Sequence, residues 1–198
     1  SASQSDYFQA TRGGGHGDYR TIVLAPSSVQ ELADLTHRAF DLADKYSIPV
    51  VILGDGMLGQ MMEPVEFKHE APRELPIRSN ALRGAKGRSS RVIKTFTSKP
   101  AELEELNWSL FRRYGMIKKQ EITYETFLVE DAELIVVAFG IAARIAKEAI
   151  KTVRRTGLKA GMLRPITLWP FPGEKVQELA NRVNYFLAFE MNMGQMIE

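Results

Sequence analysis

Residues 21–53, TIVLAPSSVQELADLTHRAFDLADKYSIPVVIL, read in order as strand, helix and strand. TIVLA (21–25) is a short apolar run that Pro26 stops. Ser28 and Glu31 have the spacing of a capping box, which satisfies free amides at a helix start. Leu32, Leu35, Ala39, Leu42 and Tyr46 then recur at helical spacing and predict one buried stripe. After Ile48 and Pro49, VVIL (50–53) is an unbroken apolar run of the kind covered on both faces in a parallel sheet. Leu58–Met62 predicts one further short helix. A unit this small has no core of its own, so it is expected to be the last third of a larger doubly wound sheet.

The end of the chain repeats the alternation. LIVVAF (134–139) reads as a buried strand, and Gly140 opens a helix to about Arg155, with Gly157 as its stop because glycine enters the left-handed conformation without steric cost. KAGML (159–163) is the next strand, ended by Arg164 and Pro165. WPFPG (169–173) is a rigid turn into a helix over 174–183, and YFLAFEM (185–191) is a third strand. Three strands alternating with helices predict a parallel sheet with right-handed crossovers.

Between these units the pattern breaks. Residues 64–99 carry nine Lys/Arg against three Glu, with Pro64, Pro72 and Pro76 scattered among them, leaving about −4 for the rest of a chain of net charge +2. That stretch reads as a solvated linker, or as one ordered by acidic or phosphate-bearing surfaces of partner subunits. Pro100 suits the first turn of a helix, with Ser98 as its cap and Leu103, Leu106, Leu110, Tyr114 and Ile117 on its buried side.

Composition excludes several classes. The chain has 198 residues, 44% of them hydrophobic, enough for one large or two small globular domains. Its net charge of +2 points to neither nucleic acid nor a membrane as partner. No apolar run approaches the roughly 18–20 residues of a bilayer span, and no signal peptide opens the chain, so a soluble, cytoplasmic protein is expected. With no cysteine there is no disulfide, thiol nucleophile or Cys-ligated cluster within these residues. The opening Ser1-Ala2 in place of Met points to processing or truncation.

Candidate chemistry is sparse. GGGHGD (13–18) precedes a strand, whereas a phosphate-cradling loop delivers its amides at a helix N-terminus. A glycine turn passing close to another surface is the better reading, with an independent phosphate- or nucleotide-binding domain as the remote one. GDG (54–56) followed by Asn80 has the spacing of a magnesium-diphosphate grip. The proline- and charge-rich stretch between them lacks the required helix and strand, so Asp55 reads as a polar residue at a strand end and no metal is assigned. His37 and His69 read as surface residues, Met57, Met61 and Met62 as packing or interface residues, and Trp108 and Trp169 as structural.

Five stretches closely resemble the alpha subunits of 2-oxoacid:ferredoxin oxidoreductases: SQSDYFQATRGGGHGDYRTIVLAPSSVQE (3–31), DLADKYSIPVVILGDGMLGQMMEPVEF (41–67), ELIVVAFGIAARIAKEAI (133–150), LRPITLWPFP (163–172) and EMNMGQMIE (190–198). Within the family the chain is most similar to the branched-chain subgroup, 3-methyl-2-oxobutanoate (2-oxoisovalerate):ferredoxin oxidoreductase, then to the 2-oxoglutarate enzymes. The resemblance implies decarboxylation of a 2-oxoacid such as pyruvate or 2-oxoisovalerate on thiamine diphosphate, electrons passed through iron–sulfur clusters to ferredoxin, and an acyl-coenzyme A product.

The same resemblance implies an α/β fold: the remainder of a doubly wound pyrimidine-type thiamine domain over residues 1–62, a basic linker plus helix over 63–127, and a parallel α/β domain like the carboxyl-terminal domain of transketolase over 128–198. Thiamine diphosphate and Mg would be shared with a beta subunit in an oligomeric complex, iron–sulfur clusters would sit only in gamma and delta partners, and none of these is expected on the chain alone. The family's YPITP-type motif, its Arg-Gly-Gly-Pro-Ser-Thr-Gly substrate loop and its activating glutamate are expected upstream of Ser3, so no catalytic residue is carried over. Gln4, Asp6, His16, Gly17 and Asp18 are nearest that loop in sequence and are assigned to the active-site rim. Glu190, Asn192, Gly194 and Gln195 match a family motif at a strand's carboxyl end, where ligand binding and domain packing are both open. A non-catalytic assembly module, docking partners through Arg83, Lys86, Arg88 and Arg91, is the alternative role.

Overall fold

The computed structural model describes residues 3–67, 81–82, 84–90, 92 and 97–198. His69, Asn80, Arg83, Arg91 and most of the basic stretch lie outside the described residues. The first unit comprises α1 (Tyr7–Arg12), β1 (Ile22–Leu24), α2 (Val29–Tyr46), β2 (Val50–Ile52) and a short 3-10 turn (Leu58–Gln60). Then follow α3 (Pro100–Gln120), β3 (Tyr124–Phe127), β4 (Leu134–Val137), α4 (Gly140–Arg154), β5 (Ala160–Pro165), β6 (Thr167–Trp169), α5 (Gly173–Ala180) and β7 (Tyr185–Ala188).

Local chemistry explains the main elements. At the start of α2 the Ser28 hydroxyl accepts from the Glu31 amide at 3.1 Å, the capping-box half-bond. Glu31 reaches back one residue further than expected, to the Ser27 amide at 2.8 Å. Leu35, Ala39, Leu42 and Tyr46 are buried in the predicted stripe. Helix α4 buries Ile141, Ala142, Ala143, Ala146 and Ile150. It unwinds at Gly157, whose φ of +97° lets the amides of Gly157 and Leu158 turn back onto Arg154 and Val153 carbonyls.

Two sheets result, ordered β2-β1-β6 and β3-β5-β4-β7. β1 and β2 are parallel, as are β5, β4 and β7, so the mixed α/β class and both parallel cores are as expected. Each sheet also takes one antiparallel strand, β6 beside β1 and β3 beside β5. These join the units. β5 runs almost directly into β6, so residues 160–169 cross from the second sheet to the first. One core accordingly holds Ile22, Val23 and Leu24 together with Val137, Phe139, Leu163 and Leu168.

Several expectations are corrected. Of β6 only Trp169 was assigned, to a turn, and α1 was not foreseen; Arg164 and Pro165, read as ending the KAGML strand, lie within β5. β3, placed with the linker by sequence, pairs along the second sheet. VVIL was expected as a strand covered on both faces, yet β2 is half-buried; the expected third strand forms as β7 and exposes Tyr185, Phe186 and Leu187, each of the two being a sheet edge with no described strand beyond it. The cap position of α3 is Lys99 and not Ser98. Of its predicted buried side only Ile117 is fully covered, and Leu103 is 43% exposed, because the first half of the helix extends beyond the core.

Candidate functional site

The carboxyl ends of β1, β2, β4, β5 and β7 converge where the two sheets meet, the place where open α/β sheets put their ligands. Here the protein's own side chains fill that place. Gln4, 5% exposed, donates from Nε2 to the Phe139 carbonyl after β4 at 3.0 Å and accepts at Oε1 from the Met191 amide after β7 at 3.1 Å. Its backbone amide bonds the Met191 carbonyl at 2.9 Å, and Asn192 Nδ2 donates to its carbonyl at 3.2 Å.

The motif after β7 completes this clasp. Asn192 Oδ1 accepts from the Gly194 and Gln195 amides, both at 2.9 Å, folding the segment into a tight turn. Gln195 then accepts from the Phe8 amide at 2.8 Å and donates to the Ser5 carbonyl at 2.9 Å, at the entry to α1. Glu190 accepts from the Met196 and Ile197 amides. Gln4 and the 190–195 motif, far apart in sequence, therefore meet as a single polar unit.

Asp55 lies beside it, buried at the end of β2. One carboxylate oxygen accepts from the Leu58 amide at 2.9 Å, the other from Ile141 at 3.0 Å. Helix α4 begins after Phe139, which has no side chain able to cap it, so the first unit supplies a cap for the second unit's helix. The carboxylate also sits at the positive end of the α4 dipole. Gly140 has φ +58°, and a Cβ there would lie 2.8 Å from Gln4 Nε2 and 2.9 Å from Asp55 Oδ2.

At the end of β5, the Arg164 side chain is 4% exposed and bridges three side chains. Its two terminal nitrogens bond both Glu31 oxygens at 2.7 and 2.8 Å, its Nε bonds Glu125 at 2.8 Å, and Nη1 also donates to the Ser27 hydroxyl at 2.9 Å. Lys147 from α4 pairs with the same Glu125. Burial pushes the Glu31 carboxyl up, but the Arg164 and Ser27 hydrogen bonds outweigh it and hold it below its ordinary 4.5. Burial likewise raises Glu125, and Lys147 and Arg164 together bring it below the same value. Depressed carboxylates contribute stability that is fully present above pH 4.5 and is lost as pH falls through their lowered values. A Glu31→Gln, Glu125→Gln double variant should therefore show a flatter fall of melting temperature below pH 4.5 than the native chain. Equal slopes in calorimetry would contradict this origin for the acid limb.

The other rim residues do not join the clasp. His16, Gly17 and Asp18 lie on the exposed glycine turn after α1. The amides of residues 13–15 thus follow a helix C-terminus, the negative end of its dipole, which disfavours a phosphate there. Asp6 lines an open cleft of about 500 Å³ with Gln9, Gly14, Gly15 and Tyr19. Lys86 and Arg88 are exposed, and so is His37. Met62 is 98% exposed and Met57 43%, whereas Trp169 is buried edge-on to Tyr114. Arg164 and Gly140 were missed as site residues. The signal for an Asp55–Gly140 contact was present, since a helix that starts at Phe-Gly with no local cap demands a distant acceptor.

Fold and seam together define a two-unit α/β protein whose facing strand ends are locked by its own polar side chains. Residues 1–125 match the family described as pyruvate flavodoxin/ferredoxin oxidoreductase, thiamine diphosphate-binding, and residues 132–198 match pyruvate:ferredoxin oxidoreductase core domain II. The chain belongs to the 2-oxoacid:ferredoxin oxidoreductase family. It is 49% identical over 195 residues to the ketoisovalerate oxidoreductase subunit VorB of Methanothermobacter marburgensis, covering 98% of this chain and 55% of that protein. Against the 2-oxoglutarate synthase subunit KorA of the same organism identity is 34%, covering 98% of this chain and 59% of that one. The chain thus spans about half the length of the curated relatives it matches. A structure of 2-oxoglutarate:ferredoxin oxidoreductase from Magnetococcus marinus, with 2-oxoglutarate, coenzyme A and succinyl-CoA bound, superimposes with a TM-score of 0.78 at 22% identity, covering 98% of this chain and 39% of that one, and speaks to the fold alone.

The environment of Asp55 does not fit that of a metal ligand. Both its oxygens are taken by backbone amides, and among the described residues no group of three or more His, Asp or Glu stands in metal-binding proximity. No described helix is long and apolar enough to cross a membrane.

Proposed function

We propose that this chain is the structural half of an alpha-type subunit in a cytoplasmic, CoA-dependent oxidoreductase that decarboxylates a branched-chain 2-oxoacid, 3-methyl-2-oxobutanoate, and passes the electrons to ferredoxin. What carries the substrate class is the identity of 49% and 48% to two ketoisovalerate subunits against 34% to the 2-oxoglutarate subunits, in each case over 98% of this chain. On this reading residues 1–62 close the pyrimidine-side domain and 128–198 form the transketolase-like one. The amide-bound Asp55 supports leaving magnesium and the diphosphate to a beta subunit, and the absence of cysteine supports leaving iron–sulfur clusters to gamma and delta partners. His16, Gly17 and Asp18, exposed on the glycine turn, and Asp6 in its cleft are the rim residues facing the active site. Gln4 and the 190–195 motif hold the two units at the angle the site requires.

The test is dye reduction by the intact complex purified through this subunit, supplied with thiamine diphosphate, magnesium and coenzyme A. 3-Methyl-2-oxobutanoate should be turned over with at least about tenfold higher kcat/KM than 2-oxoglutarate, a discrimination of about 1.4 kcal/mol. The chain alone should give no turnover. Preference for 2-oxoglutarate or pyruvate would overturn the substrate assignment, and turnover by the isolated chain would overturn the division of labour.

A further inference from the structure

A cavity of about 540 Å³ lies where the two units meet. It is walled by α1 and β6, which belong with the first sheet, and by β4, α5 and β7, which belong with the second. Val137, Leu168, Trp169, Phe171 and Phe186 give it a mainly apolar lining. Pockets that hold small molecules have this size and character, and junctions between domains are where they form.

The polar side chains that line it are few, and most are already engaged. Arg12 pairs with Glu198 at 3.0 Å and lies over the Phe8 ring. Gln195 spans Ser5 and Phe8, and the Thr11 hydroxyl donates to the Tyr7 carbonyl at 2.7 Å. The exception is the Tyr7 hydroxyl. Tyr7 is 7% exposed, yet no described residue hydrogen-bonds its phenolic oxygen. Among the described residues no fully buried side-chain oxygen lacks a partner, so this one is not sealed in but opens on the cavity that Tyr7 lines. Burial, and after it the Glu190 carboxylate, pushes the phenol up to about 12, opposed by Arg12. The hydroxyl therefore keeps its proton and stands as a donor with nothing to donate to, which a buried tyrosine seldom does.

That pattern selects the ligand. An apolar lining gains from burying carbon, and one fixed O–H asks for one acceptor. The two charged lining residues, Arg12 and Glu198, neutralise each other, so a charged molecule would enter without a partner. We propose that this cavity is a binding site for a small, uncharged, mainly apolar molecule carrying a carbonyl oxygen that accepts from the Tyr7 hydroxyl. The inference is independent of the substrate reading above.

Acetophenone and α-methylstyrene test it, because they share a shape and differ in a carbonyl oxygen against a methylene. The chain has two tryptophans, so Trp108→Phe, at an exposed position, leaves Trp169 on the cavity wall as the one indole N–H signal in the spectrum of the full chain. That signal should shift saturably with acetophenone, with a dissociation constant of about 1 mM or below. Adding Tyr7→Phe should move the ratio of the two dissociation constants at least about threefold against the ketone, the loss of one hydrogen bond. Val176→Phe, at a half-buried position on the cavity wall, should abolish the shift for both probes with helix content unchanged. By equilibrium dialysis, the intact complex with the native subunit should take up more acetophenone than the complex with Val176→Phe. The proposal is overturned by the lack of a saturable shift, by an unchanged ratio in Tyr7→Phe, or by a shift that survives Val176→Phe. Equal uptake by the two complexes, as when the rest of the assembly fills the space, would overturn it as well.

Discussion

Arg164→Met is expected to lower the melting temperature of the chain by about 6–12 °C, from a loss of about 3 kcal/mol at the 2–4 °C per kcal/mol typical of a chain this long. Methionine fills much of the space, so the loss is electrostatic. Removing the guanidinium leaves Glu31 and Glu125 without their shared partner, and removes the hydrogen bond to Ser27. The figure belongs at the low end for a broken buried pair, because both carboxylates keep 31% of their side-chain surface in water and Glu125 retains Lys147. The effect should be specific to the junction. Arg164 ties the start of α2 to the ends of β3 and β5, so hydrogen exchange should accelerate first at the Ser27 and Glu31 amides. Adding Glu31→Gln and Glu125→Gln to Arg164→Met should restore part of the loss, since neutral amides tolerate the missing cation. No restoration, or a melting shift below about 2 °C, would show the network to be incidental.

Gly140→Ala should be strongly damaging for a single added methyl, with an expected cost of about 3 kcal/mol or more. A left-handed alanine costs about 1–2 kcal/mol before any contact is considered. The new methyl would also stand 2.8 Å from Gln4 Nε2 and 2.9 Å from Asp55 Oδ2. Neither atom is free to retreat, because one holds the Phe139 carbonyl and the other caps the Ile141 amide. Displacing them leaves buried groups unpaired at about 1–3 kcal/mol each. Thermal unfolding measures the total. Gly140→Ala combined with Gln4→Ala separates its parts, since removing Gln4 vacates one of the two clashes and the two costs should fall short of adding. Strict additivity would place the strain in the backbone alone. A Gly140→Ala chain as stable as the native one would remove the case for a tight junction at this point.

The two effects share a cause. The strand ends where a ligand would sit in an open sheet are filled, in this chain, by Gln4, Asp55, Arg164 and the turn at Asn192. Every one of these side chains is hydrogen-bonded, and among the described residues no buried side-chain nitrogen or oxygen lacks a partner. A substitution there acts on the angle between two units and not on a local element.

Much of this was legible in order along the chain. The 3.6-residue recurrence of Leu35, Ala39, Leu42 and Tyr46, the Ser28 hydroxyl cap on the Glu31 amide, and the stop at Gly157 depend only on neighbours a few residues away, and each forms as read. The apolar runs at 21–25, 134–139 and 159–163 named the strands for the same reason, although β5 continues through Arg164 and Pro165. The family, too, was readable from stretches spread over nearly the whole chain. What local pattern does not hold is which strand end meets which. Thr167–Trp169 becomes a strand only because β1 offers its free edge, across more than 140 residues. Asp55 becomes a helix cap, and Gly140 a position that resists a side chain, only because the fold brings the Asp55 carboxylate and the Gln4 amide so close that a Cβ on Gly140 would lie within 3 Å of both. Sequence periodicity determined the elements, since their hydrogen bonds and buried stripes are local. The tertiary structure alone decided the junction, since its polar pairs are distant in the chain and carry no spacing to read.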